Sequence, residues 1–143
     1  MITAVVRTKL LTTTAVTNLV STRIYVDELP DPATLPAITI HPISGVPDKE
    51  VGKKGFARVQ VSIWAVTGNP KNPSVVESIR AAVKTVFHIP RMNMAYPMRL
   101  QAGTTSTYYD VTSSTCTGGV RLIDPTTGWY HVPMDIELTY NEV

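Results

Sequence analysis

Cysteine is nearly absent from this chain of 143 residues: Cys116 stands alone. That excludes an internal disulfide framework and a cysteine-rich zinc cluster, and it suits a reducing compartment. An excess of charge of one sign is missing too. Thirteen basic side chains face eleven acidic ones, a formal net charge of +2. This is too weak for a dedicated nucleic-acid binder, so any contact with nucleic acid has to be local. No apolar run approaches the ~20 residues that cross a bilayer. Arg7 and Lys9 fall inside the apolar N-terminal pattern, where a signal peptide would keep its basic residues ahead of an unbroken run. We therefore expect a soluble protein with no membrane contact.

Catalytic signatures are equally scarce. The chain has no Gly-x-Ser-x-Gly elbow and no Gly-x-Gly-x-x-Gly, and Thr117-Gly118-Gly119 lacks the Lys-Ser/Thr that would complete a phosphate loop. His41, His88 and His131 fall on separate predicted elements, without a His-x-x-x-His or Cys-x-x-Cys pairing. Metal ligation needs such spacings, so no metal and no cofactor are expected. His88, near a predicted helix end, is favoured there by the dipole. Asp135 and Glu137 alternate on one strand face, which reads as a solvated or salt-bridged surface before it reads as an acid–base pair. The expectation is a protein that is not an enzyme.

What is present points to folding. A hydrophobic fraction of 43% and a charged fraction of 17% are globular values, and the length suits one domain over residues 1–143. Ile2, Val6 and Leu10 recur every four residues and predict an amphipathic helix. Thr12, Thr13 and Thr14 break it and offer hydroxyl caps to a second short helix bearing Ala15, Val16, Leu19 and Val20. After a loop punctuated by Pro30, Pro32 and Pro36, residues 36–45 predict a strand. Residues 46–55, rich in glycine and charge, predict a hairpin loop longer than the usual two to five or so residues, either functional or simply solvated.

Phe56 to Val66 alternates cleanly. Ala57, Val59, Val61, Ile63 and Ala65 share one face; Phe56, Arg58, Gln60, Ser62, Trp64 and Val66 share the other. A helix from Asn72 to Ile89 follows, with Asn72 capping ahead of Pro73 or Ser74 forming a capping box with Glu77. Its apolar stripe is Val75, Val76, Ile79, Val83, Val86 and Phe87. The remainder predicts a β-meander: strands at 100–111 and 119–124, separated by a Thr/Ser-rich stretch that permits a loop or bulge, then a turn at Asp124-Pro-Thr-Thr-Gly128. In the last strand, Trp129 to Tyr140, Pro133 predicts an edge position or a bulge. The layout is α+β, a mainly antiparallel sheet with two to three helices packed on one face. Function is then to be sought on the opposite face.

Five segments, in this order and spacing, resemble the tail-completion family of long-tailed bacteriophages, which includes the tail terminators. They are Leu10-Leu11, Arg23-Ile24-Tyr25, Leu35-Pro36-Ala37-Ile38, the strand from Arg58 to Ala65, and Ile79-Arg80-Ala81-Ala82-Val83. The resemblance spans roughly residues 5 to 140. It implies a virion protein made in the host bacterial cytoplasm, a homo-oligomeric, six-membered ring on the head-proximal end of the tail tube. Its partners would be the major tail tube protein and the head-completion or stopper protein of the neck, with DNA passing through the opening without sequence-specific contact. Candidate interface residues are Lys49, Lys53 and Lys54 in the charged loop, which could reach over the tube or a neighbouring subunit, with Phe56, Arg58, Trp64, Asp135 and Glu137 on the outer strand faces. Two other readings stand beside this one: the stopper itself, and a small hydrolase or ligand-binding domain with a pocket converging on His41, His131 and Asp135.

Overall fold

The computed structural model describes residues 2–48, 54–66, 73–89, 98–101 and 108–142. Helix α1 (Ile2–Leu11) buries Val5, Val6 and Leu10. The threonine run ends it in an unexpected way. Thr13 is the N-cap of α2 (Thr14–Val20) but makes no side-chain cap bond. The hydroxyls of Thr12 and Thr13 instead donate back to the Lys9 carbonyl, because the last carbonyls of a helix also lack partners and compete for the same hydroxyls.

A seven-stranded sheet follows: β1 (Ile24–Val26), β2 (Ala37–Asp48), β3 (Lys54–Ala65), β4 (Met98–Gln101), β5 (Tyr108–Gly118), β6 (Leu122–Ile123) and β7 (Tyr130–Glu142). Their order is β1-β2-β3-β7-β5-β4, with β6 pairing β7. Only β1 and β2 pair in parallel. Helix α3 (Pro73–Phe87) enters between β3 and β4 in the chain. Pro73 takes the first helical position, where its missing N–H costs nothing, while Asn72 lies outside the described residues. Val76, Ile79, Val83 and Phe87 are buried, as the stripe requires.

The three helices among the described residues cover one face. Their apolar side chains join Ile38, Ile40, Val59, Val61, Ile63, Val132, Met134, Ile136 and Leu138 in one core. Helix α1 touches β1 and β2 at one edge and β4 at the other, so the sheet curls around it. The end of α3 is stitched to β5: the Ser114 hydroxyl donates to the Phe87 carbonyl, and the Cys116 N–H donates to His88 Nδ1 at 3.2 Å. His88 thus serves the sheet as well as the helix end. Cys116 is buried, and burial pushes its thiol up to about 11, which makes it inert.

Three expectations change. The 46–55 segment is not all loop: Val46, Pro47 and Asp48 pair with Phe56, Gly55 and Lys54. Beyond Ile40, β2 has no β1 partner, and a strand edge tolerates proline. Pro133 does not mark an edge, since β7 lies between β3 and β5. Its carbonyl accepts from the Gly119 N–H, and in an extended strand the N of the same residue points the same way. The missing donor therefore faces the break between β5 and β6. Finally, Thr112 to Thr117 does not separate two strands but belongs to one, and of the two expected alternatives it takes the bulge, with a register shift between Val111 and Ser113, while a simple meander gives way to insertion of β7 beside β3.

Gly55 is constrained by its neighbour. A Cβ there would run into the ring of Tyr140, which stands opposite it and packs edge-on against Tyr109. Gly55→Ala is expected to lower stability by about 1–3 kcal/mol through overpacking, read from urea denaturation; an unchanged midpoint would show that Tyr140 moves aside freely.

Candidate functional site

With one face under helices, the other presents the second set of alternating side chains. Arg58 stands opposite Glu137 and diagonal to Asp135. Its Nη2 donates to Asp135 Oδ2 at 2.5 Å, and its Nε lies 3.9 Å from Glu137 Oε1. The hydrogen bond to Asp135, with the charge of that carboxylate, holds Arg58 more firmly protonated than usual. An exposed pair of this kind adds little to stability and chiefly fixes a charge pattern.

Farther along the sheet, three strands are tied by side chains. The Trp64 indole stacks on His131 with centroids 4.1 Å apart and 3° between planes, and its Nε1 donates to Thr39 Oγ1 at 2.9 Å. His131 Nε2 lies 3.0 Å from Ser62 Oγ. Burial is the main cause that holds the His131 imidazole below its ordinary 6.5, against the opposing pull of Asp124. A histidine depressed on folding takes up its proton more readily when unfolded, so its stabilising contribution is full above pH 6.5 and is lost as pH falls below it. Asp124 is different. The N–H groups of Thr126 and Thr127 lower its carboxyl from 3.8, so its loss comes only at stronger acid. Denaturation at pH 7.5 and 5.5 should show lower stability at 5.5, and His131→Gln should shrink that difference; an undiminished difference would assign it to another group.

Beside this cluster lies a pocket of about 270 Å³, lined by residues including Asp27, Glu28, His41, Trp64, Asp124 and Trp129. His41 Nδ1 is 4.0 Å from Asp27 Oδ1. His131 and Asp135 do not line it. Asp135 is held by Arg58, four residues and about 13 Å along the strand from His131, so the convergence that a hydrolase would need is not formed. Among the described residues no group of three or more His, Cys, Asp or Glu is placed to hold a metal, and no helix is long and apolar enough to cross a membrane.

The structure thus brings Arg58, Asp135 and Glu137 together and sets Trp64 apart from them. Phe56 lies beyond Arg58 on the same face and is 42% exposed, and Ile43, at the register shift of β2, is 45% exposed. Lys54 opens β3 opposite Asn141, while Lys49 and Lys53 lie outside the described residues. Sequence reasoning missed Val120, Leu122 and Ile123, which are 69%, 47% and 64% exposed; three large apolar side chains within four residues beside a turn were the available signal. It also missed Trp129 as a neighbour of Trp64.

Comparison with known proteins places this architecture. A family model described as tail completion protein gp17 matches residues 4–141. Among solved structures, a chain from the virion of a native gene transfer agent particle matches with a TM-score of 0.67 at 13% identity, covering 97% of this chain and 93% of that one. A second solved chain matches with a TM-score of 0.51 at 12% identity, over 83% of this chain and 79% of that one. At such identities the likeness concerns the fold alone. No curated protein matches in sequence. The family match, however, runs through nearly every element described above, and the chain belongs to the tail completion protein gp17 family, as a structural protein of the phage tail.

Proposed function

We propose that this protein is a virion component that forms a ring, with six subunits, on the head-proximal end of the tail tube. There it ends polymerisation of the major tail tube protein and joins the tail to the head through the head-completion or stopper protein. DNA passes through the opening without sequence-specific contact, in keeping with a net charge of only +2. Synthesis takes place in the host bacterial cytoplasm.

One observation carries the reading: each subunit exposes two different apolar surfaces at opposite ends of the sheet. Ile43 on β2 and Phe56 on β3 are exposed toward one end, where β2 turns to β3. Val120, Leu122 and Ile123 lie toward the other, on and beside β6. Phe56 stands opposite Thr139 and Ile123 opposite Tyr130, so the two surfaces lie about 30 Å apart along β7. A head-to-tail contact joins two unlike surfaces and closes into a ring by rotation, whereas a two-fold dimer needs one self-complementary patch. β6 also ends the sheet locally, and edge strands invite pairing with another chain.

Electron microscopy of particles made without this gene tests the role. Overlong, unattached tubes beside DNA-filled heads are expected. Normal-length free tails beside emptied heads would assign the stopper role instead, and intact infectious particles would sink both.

A further inference from the structure

We propose that the pocket between Trp64 and Trp129 receives a lysine side chain from the β2–β3 hairpin of a second copy of this chain. The inference rests on the ring reading and names the contact that would build it. Three carboxylate residues, Asp27, Glu28 and Asp124, line the pocket, with the two indoles and Leu29 supplying apolar wall. Among the described residues, none of the ion pairs joins these carboxylates to a lysine or arginine; Asp27 has only His41, at 4.0 Å. Trp64 is held rigidly by its stack on His131 and its bond to Thr39, so the wall is formed before anything binds.

A lysine matches each part of this pocket. Its four-carbon stem lies along apolar surface while its ammonium reaches charge, and indole faces attract cations. Three of the six lysines in the chain fall where β2 gives way to β3: Lys54 is the first residue of β3, and Lys49 and Lys53 stand in the sequence between it and Asp48, the last residue of β2. The backbone of Lys54 lies far from the pocket of its own subunit. The Asp27 N–H donates to the Ile40 carbonyl, whereas Lys54 pairs with Asp48, eight residues and about 25 Å farther along β2. Hairpin and pocket therefore sit at opposite ends of one subunit, as a head-to-tail contact needs.

The test is zero-length carbodiimide coupling of carboxylates to lysines in purified particles, followed by peptide mass spectrometry. Asp27 or Glu28 is expected to be joined to Lys49, Lys53 or Lys54, and particles grown with a mixture of isotopically light and heavy subunits should show the link between copies. Particles carrying Asp27→Asn with Glu28→Gln should lose it; both changes keep size, and asparagine suits the positive φ of residue 27, which is 69°. As a second arm, Glu28→Lys alone and Lys53→Glu with Lys54→Glu should each lower the yield of joined particles at least tenfold, and all three together should restore it. Pocket carboxylates that couple to none of these lysines, or to another virion protein, overturn the inference, as does failure of the combined variant to restore yield while its subunit stays folded by circular dichroism. Counting subunits by electron microscopy separates the readings: a six-membered ring without the link removes the pocket and keeps the ring, and the link in an assembly of another number does the reverse.

Discussion

A subunit carrying Leu122→Lys and Ile123→Lys is expected to fold normally and to fail to assemble. β6 contributes only two residues, both pointing apolar side chains into solvent. Substitutions at such exposed positions change subunit stability by roughly 0.5 kcal/mol or less. In the proposed ring the same side chains become buried, and since they are 47% and 64% exposed in the subunit, each contributes about half of the roughly 1.5–3 kcal/mol of full burial. Losing both weakens every subunit contact by about 1.5–3 kcal/mol, roughly ten- to two-hundred-fold in association. Lysine does more than delete the contact, because it is the residue that protects natural sheet edges from unwanted pairing. Sedimentation velocity and electron microscopy read the assembly, and a thermal melt reads the fold. Rings formed at wild-type concentration by a normally folded variant would remove β6 from the interface.

Phe87→Ala carries the largest loss expected in the subunit itself. Phe87 is wholly buried, heads the fully buried side chains by volume, and closes α3 where Ser114 bonds its carbonyl. Truncation removes the transfer energy of a benzyl group and leaves a cavity that close-packed neighbours fill only in part, a cost of about 3–5 kcal/mol. Domains have about 5–15 kcal/mol in total, so the melting temperature should fall by roughly 6–20 °C at the two to four degrees or so per kcal/mol typical of this size. Urea denaturation checks it: the midpoint should drop with the slope unchanged. A loss under about 1 kcal/mol would mean that α3 settles into the space and that its last turn is not fixed by β5. Phe87→Leu, which keeps most of the volume, should cost much less.

Much of this architecture was legible locally. Val59, Val61 and Ile63 in β3, and Val132, Met134, Ile136 and Leu138 in β7, sit in the core because strict alternation allows a strand only one dry face. Val76, Ile79, Val83 and Phe87 do the same for α3 at helical spacing. The order of segments was enough to suggest the family that the comparison then showed. The candidate site was half legible: alternation put Phe56, Arg58, Trp64, Asp135 and Glu137 on the outer face, but not beside their neighbours.

Those neighbours depend on register. The pairing of Arg58 with Asp135, and the stack of Trp64 on His131, join residues 77 and 67 positions apart. Nothing in either segment alone states that β7 slides in beside β3 rather than lying at an edge, and Pro133 argued for the edge until the break between β5 and β6 gave its missing donor a place to face. The Thr13 hydroxyl likewise had two acceptable partners, and only the packed α1–α2 corner selected the Lys9 carbonyl. The sequence by itself therefore determined the dry face of each helix and of the long strands β3 and β7, and pointed to the family, since periodicity and spacing are properties of neighbouring residues. The tertiary structure alone decided strand order, the two exposed apolar ends and the tryptophan pocket, since these arise from contacts between distant segments whose energies no local pattern contains.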